Sequence, residues 1–179
     1  MLRKLFPAAA VLPLLAGCAS VEVDAYRAEK PVLDLRIYFD GTVDAWGIFQ
    51  DRTGKVVRRF QVRIDARWDG DRGTLDEHFE YSDGTRSRRV WTIVRHDAGR
   101  YTGTAADVVG EARGEAAGNA LRWRYVMALE VDDKVYHVDF DDWMYLVDEN
   151  VMLNRSAMSK YGLQLGEVTL SFRRRGPGA

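Results

Sequence analysis

A single cysteine in 179 residues, Cys18, rules out an intramolecular disulfide framework and a cysteine-rich zinc site. Four prolines against 46% hydrophobic residues argue for a folded globule rather than an extended, unpacked chain. Three histidines are present, none paired at a zinc-binding spacing, and the chain contains no Gly-x-Ser-x-Gly elbow and no phosphate loop. Neither sign of charge dominates: 26 basic residues meet 27 acidic ones, which is not the composition of a polycation seeking nucleic acid. The longest apolar run, Leu5 to Leu15, is broken by Pro7 and Pro13 and falls short of the roughly 20 residues of a membrane-spanning helix.

That run has another reading. Arg3 and Lys4 precede it and Leu15-Ala16-Gly17-Cys18 closes it, the order of a bacterial secretory signal ending on small residues. The leucine, small, small, cysteine sequence resembles the lipobox of bacterial lipoproteins. The resemblance implies removal of residues 1–17, a diacylglyceryl group on the Cys18 sulfur and an acyl chain such as palmitate on its freed amine. Two or more such chains give stable membrane anchoring. Ala19 in place of an aspartate points to the outer membrane, so the expected site is its periplasmic face. Processing removes Arg3 and Lys4 and no acid, leaving 162 residues with 24 bases against 27 acids, within single-domain size. Residues 18–31, poor in large apolar side chains, read as the lipidated cysteine and a tether.

From Val32 onward the pattern has period two, the mark of strands with one face on a core. Leu33, Leu35, Ile37 and Phe39 alternate with polar neighbours, as do Phe60, Val62, Ile64, Ala66 and Trp68. Leu121, Trp123, Tyr125, Met127, Leu129 and Val131 form a third face, and Val168, Leu170 and Phe172 a fourth. Noisier runs lie at 45–51, 74–81, 88–96, 101–108 and 135–146, separated by turn signals such as Asp83-Gly84, Gly118-Asn119 and Asp132-Asp133. Eight to ten sequential strands with short connections predict an all-β, antiparallel up-and-down β-barrel over residues 32–175; a two-layer sandwich is the alternative. Charged residues on the non-core face place such a barrel in water rather than in lipid.

The segments Tyr38-Phe39-Asp40-Gly41, Ala45-Trp46-Gly47, Leu75 to Tyr81 and Asp141-Asp142-Trp143-Met144-Tyr145-Leu146 resemble the motifs of a proteobacterial lipoprotein family, domain of unknown function 3833. The similarity continues through Asn154-Arg155, Met158 and Gly166 to Leu170. It implies a lipocalin-like (calycin-like) barrel on a lipid anchor, with no activity, cofactor or catalytic residue to carry over.

Candidate polar sites follow from strand phase. Asp142 shares the expected inward face with Tyr136, Val138, Phe140, Met144 and Leu146, and a buried acid needs a partner. A hairpin turned near Asp148-Glu149-Asn150 is expected to bring Arg155 to it, with Trp143 nearby, as a polar pocket end receiving a ligand carboxylate or as a closing ion pair. Glu77 and Arg89 are expected to face each other across the turn at Ser82-Asp83-Gly84. Asp142, Trp143, Arg155, Glu77 and Arg89 are thus the candidate ligand contacts. His137, Asp139 and Asp141 alternate on the other face, but side chains about 7 Å apart along one strand make a poor metal site. The five tryptophans read as core packing or cavity lining, and Arg173-Arg174-Arg175 as a solvated end or a contact for anionic headgroups. No metal, cofactor or catalytic group is expected. The expectation is a non-enzymatic envelope lipoprotein that binds or shuttles a fatty acid or other apolar molecule. An assembly role docking an envelope partner and a lipid-modifying accessory role are the alternatives.

Overall fold

The computed structural model describes residues 20–97 and 99–176; Cys18 and the signal segment lie outside that range. Ten antiparallel strands run in sequence: β1 Gly41–Asp51, β2 Val56–Asp69, β3 Arg72–Tyr81, β4 Arg86–Arg95, β5 Arg100–Thr104, β6 Val108–Ala117, β7 Ala120–Val131, β8 Lys134–Leu146, β9 Val151–Lys160 and β10 Leu163–Arg174. Each pairs with its neighbour in sequence, and β1 pairs with β10 in register Ala45↔Phe172, which closes the barrel. The expected all-β meander is therefore observed, in its closed form.

Period-two alternation places Val62 and Ile64, Trp91 and Ile93, Leu121 and Trp123, and Met152 inside. The outer face carries charged rungs across adjacent strands, among them Arg88 with Asp76 at 2.7 Å, Arg122 with Asp141 at 2.6 Å and Arg175 with Asp44 at 2.7 Å. Such a face is not the apolar band of a membrane-spanning barrel. The last rung also ties down the expected solvated end of the basic run. His137 and Asp139 are exposed on this outer face, and no cluster able to hold a metal occurs among the described residues.

Two expected elements differ. Residues 32–40 are not a strand: Leu35–Tyr38 is a short helix, α1, whose cap Asp34 accepts a hydrogen bond from the Arg36 N–H at 2.9 Å. Leu35, Tyr38 and Phe39 fall at helical spacing and are buried, while Ile37, on the opposite side, is 61% exposed. Strand β6 was not expected, because its run of Gly, Glu, Arg and Ala offers hardly any large apolar side chain. Its small residues serve a neighbour instead: a β-carbon at Gly114 or Gly103 would collide with the Trp123 ring, so glycine lets the indole lie flat on β5 and β6.

The segment before the barrel is not a free tether. Val23–Tyr26 forms a 3-10 turn against β6 and β7, burying Val23 beside Ala117 and Ala120. Tyr26 packs edge-on against Trp143 and Tyr145, and Glu22 stands 3.6 Å from Arg122. The chain then crosses under the barrel, with the Leu33 N–H donating to the Gly118 carbonyl at 2.8 Å.

Candidate ligand cavity

The hairpins divide the barrel into two ends. At one, α1 and its flanks form a floor: Leu33, Leu35, Tyr38 and Phe39 join the core of Val43, Ile64, Ile93, Leu121 and Phe172. Directed hydrogen bonds fix this plug, from Tyr38 Oη to the Asn150 carbonyl at 3.0 Å and from Trp68 Nε1 to the Phe39 carbonyl at 3.1 Å. The other end is open. Between them lies a cavity of about 770 Å³ reaching from Leu35 and Phe39 at the floor to Arg58, Tyr81, Val131, Tyr136 and Lys160 at the mouth. That is within the range of small-molecule sites. Its wall is chiefly apolar, including Phe49, Phe60, Phe79, Trp91, Trp123, Met127, Phe140 and Met158.

A belt of polar groups interrupts the wall midway. Glu77 and Arg89 are paired across β3 and β4, as the hairpin predicted, with Arg89 Nη1 3.8 Å from the Glu77 carboxylate. Arg89 also donates two N–H groups to Asp107, at 2.9 and 2.7 Å, from the loop between β5 and β6. Opposite them, Asp142 accepts from the Ser156 hydroxyl and from Tyr125 Oη at 3.5 Å. Tyr125 is stacked on Phe140, with ring centroids 5.0 Å apart, and meets Trp91 edge-on. Asn154 completes the belt one inward step from Ser156 along β9.

Burial governs the protonation of these groups. Desolvation pushes the Glu77 carboxyl up to about 7, opposed by the Arg89 charge. Desolvation likewise pushes Asp142 up to about 7, opposed by the Ser156 hydrogen bond. Burial and the neighbouring Asp142 hold Tyr125 well above the ordinary phenol range. Burial works to lower the Arg89 pKa, but the coulombic pull of Glu77 and the hydrogen bond to Asp107 outweigh it, so the guanidinium stays charged.

Three of the five candidate contacts, Asp142, Glu77 and Arg89, therefore meet at one level inside the barrel. The other two do not. Arg155 lies across from Trp143, not Asp142; its side chain is on the outer face and pairs with Glu167 at 2.8 Å. Asp142 is instead opposite Ser156. The error is one residue of register, and a one-residue slip turns every side chain to the other face of a sheet. Trp143 follows the same parity: it stacks on Tyr145 outside the wall and lies under the Arg122 guanidinium. Trp91 and Trp123 line the cavity, Trp68 borders the floor, and Trp46 is exposed. Asn154, Ser156 and Tyr125 were missed, although Met152, Asn154, Ser156 and Met158 form an alternating run that carries the correct phase of β9.

Similarity to solved structures is confined to the fold. A protein of unknown function of the DUF3598 family from Nostoc punctiforme PCC 73102 aligns with TM-score 0.56 and 11% identity, covering 83% of this chain and 51% of its own. This chain thus spans about half the length of that protein. The S-type phycobiliprotein lyase of Guillardia theta aligns with TM-score 0.56 and 7% identity, covering 76% of this chain and 89% of its own. No curated protein matches the sequence. Residues 12–174, nearly the whole chain, match the model of the family described as "Protein of unknown function (DUF3833)", and the chain belongs to that family.

Proposed function

We propose that this protein is a non-catalytic carrier of the bacterial cell envelope, anchored to the outer membrane through a lipidated Cys18, whose barrel takes up one elongated apolar molecule such as an acyl chain. The observation that carries the reading is the cavity: about 770 Å³ of largely apolar space, sealed by α1 at one end and open at the other. A barrel of this size class can be filled by its own side chains or hold a ligand, and here space is left over. The mouth suits uptake of an apolar molecule, since Tyr161 is 89% and Leu163 71% exposed at the tip of the β9–β10 hairpin, beside Val131, Val135 and Tyr136 of its neighbour. Exposed apolar groups gathered at a cavity rim mark contact with an apolar partner.

The test is native mass spectrometry with lipid extraction on the chain from Ser20 onward, which retains every paired strand and the plug. A co-purified apolar molecule, displaceable by the neutral probe N-phenyl-1-naphthylamine, is the expected result. A barrel that is empty and also gives no fluorescence gain with that probe overturns the reading. Metabolic labelling with palmitate, lost in Cys18→Ser, tests the anchor separately.

A further inference from the structure

Asn154 is 3% exposed on the inward face of β9, yet neither its Oδ1 nor its Nδ2 has a hydrogen-bond partner. Among the described residues it is the one side chain with both polar atoms left unmade. Buried polar groups are nearly always satisfied, and an orphaned donor and acceptor together cost more than an apolar residue of the same shape. Leucine at this position would pack against Met144 and Leu170, its neighbours on β8 and β10, without that penalty. An amide on a residue of the cavity wall, with both its polar atoms lacking a partner, is a contact awaiting one.

The charges around it decide which partner fits. Arg89 is held by Asp107 and Glu77, so its guanidinium is already neutralised. Asp142 and Glu77 face the same space. The other cations on the cavity wall are at the mouth: Arg58 is bound to Asp83 at 2.8 Å, and the Lys160 ammonium donates to the His137 carbonyl at 3.2 Å. A ligand carboxylate beside Asn154 would meet two acids and no uncommitted cation, and like charges at short range repel. An ammonium would suit the acids but leave the Asn154 Nδ2 donor without an acceptor. A hydroxyl or a carboxamide both donates and accepts, and so answers both atoms of Asn154.

We propose that Asn154 is the head-group contact of the cavity, receiving the uncharged hydroxyl or amide end of an elongated apolar ligand whose chain runs past Phe140 and Met158 toward the mouth. The proposal rests on the carrier reading and narrows it: free fatty acids are the wrong class, and fatty alcohols, acyl amides or hydroxylated lipids the right one.

The test compares dodecanol, dodecanoate and dodecylamine as competitors of N-phenyl-1-naphthylamine at a pH of about 8, where the free carboxylate is fully ionised. Dodecanol is expected to bind about tenfold tighter than either charged homologue, the worth of one good buried hydrogen bond. Asn154→Leu is expected to erase that preference and, by removing two unmade polar atoms, to raise the melting temperature or leave it level, with the cavity still able to take up the naphthylamine. Asn154→Gln, which keeps the amide at a different reach, retains part of it. Equal or tighter binding of dodecanoate overturns the proposal, as does tightest binding of dodecylamine. An alcohol preference that survives Asn154→Leu also overturns it, because the hydroxyl is then held by another group of the wall. Failure of the naphthylamine itself to bind is a different result: it removes the carrier reading, and the head-group contact with it.

Discussion

The two ends of this barrel are built from the same hairpins and have opposite fates. At the floor, the segment just upstream of β1 crosses the opening, and Leu33, Leu35, Tyr38 and Phe39 vanish into the core. At the mouth no segment crosses among the described residues, and the β7–β8 and β9–β10 tips leave valine, tyrosine and leucine in solvent. Closing a sheet into a barrel removes its edges but does not choose a sealed end. A short non-strand segment makes that choice here, and its hydrogen bonds to Gly118, Tyr101 and Asn150 hold it at one end. The sealed end is architecture and the open end is access.

That contrast breaks most readily at the floor. Phe39→Ala removes a buried ring that meets Phe172 edge-on, and should cost about 3–5 kcal/mol in urea unfolding. The double change Tyr161→Ser with Leu163→Ser at the mouth should stay within about 0.5 kcal/mol. Equal losses at both ends would erase the distinction.

The polar belt between the ends should give a pH signature of definite sign. Glu77 and Asp142 have ordinary values of 4.5 and 3.8 when unfolded and rise to about 7 when folded. The folded state therefore binds protons more tightly, and the stability this contributes is fully present below about pH 4 and lost as pH rises through 7. The slope should approach about 1.4 kcal/mol per pH unit for each group within that window. Urea midpoints measured from pH 5 to 8.5 should fall, and Glu77→Gln with Asp142→Asn should flatten the fall. A wild-type profile that is flat or rising would show that the belt is wet.

A smaller effect separates docked from open glycines. Gly118 sits at φ +54 with the Tyr26 carbonyl where a β-carbon would be, so Gly118→Ala must displace the upstream segment, at about 1–3 kcal/mol. Gly162 at φ +76 has open space around it, and Gly162→Ala should cost about 1 kcal/mol of backbone strain alone. Proteolysis near residue 26 should accelerate only in the first variant. The smallest effect belongs to Arg155→Ala. Its ion pair with Glu167 lies on the outer face, so the loss should be below about 1 kcal/mol with naphthylamine binding unchanged.

Strand phase was legible wherever one face is strongly apolar and the other charged, as in β2, β7 and β8, and that sufficed for the barrel and for the inward placing of Asp142 and Glu77. It failed on β9, where Leu153 and Ala157 on the outer face blur the alternation of Met152 and Met158 on the inner one. Arg155 was accordingly assigned to the wrong side. It failed again at Leu33 to Phe39, where Leu35 and Phe39 fit a period of two and a helical turn equally well, and only Asp34 as cap and Tyr38 as third contact break the tie. The sequence by itself determined an all-β antiparallel meander and favoured a barrel over a sandwich, because a two-residue period recurs over most of the hairpin-linked strands. Which end is sealed, which polar groups share a level, and that Asn154 is left without a partner were decided by tertiary structure. Each depends on the register between strands far apart in the chain, and no local pattern encodes that register.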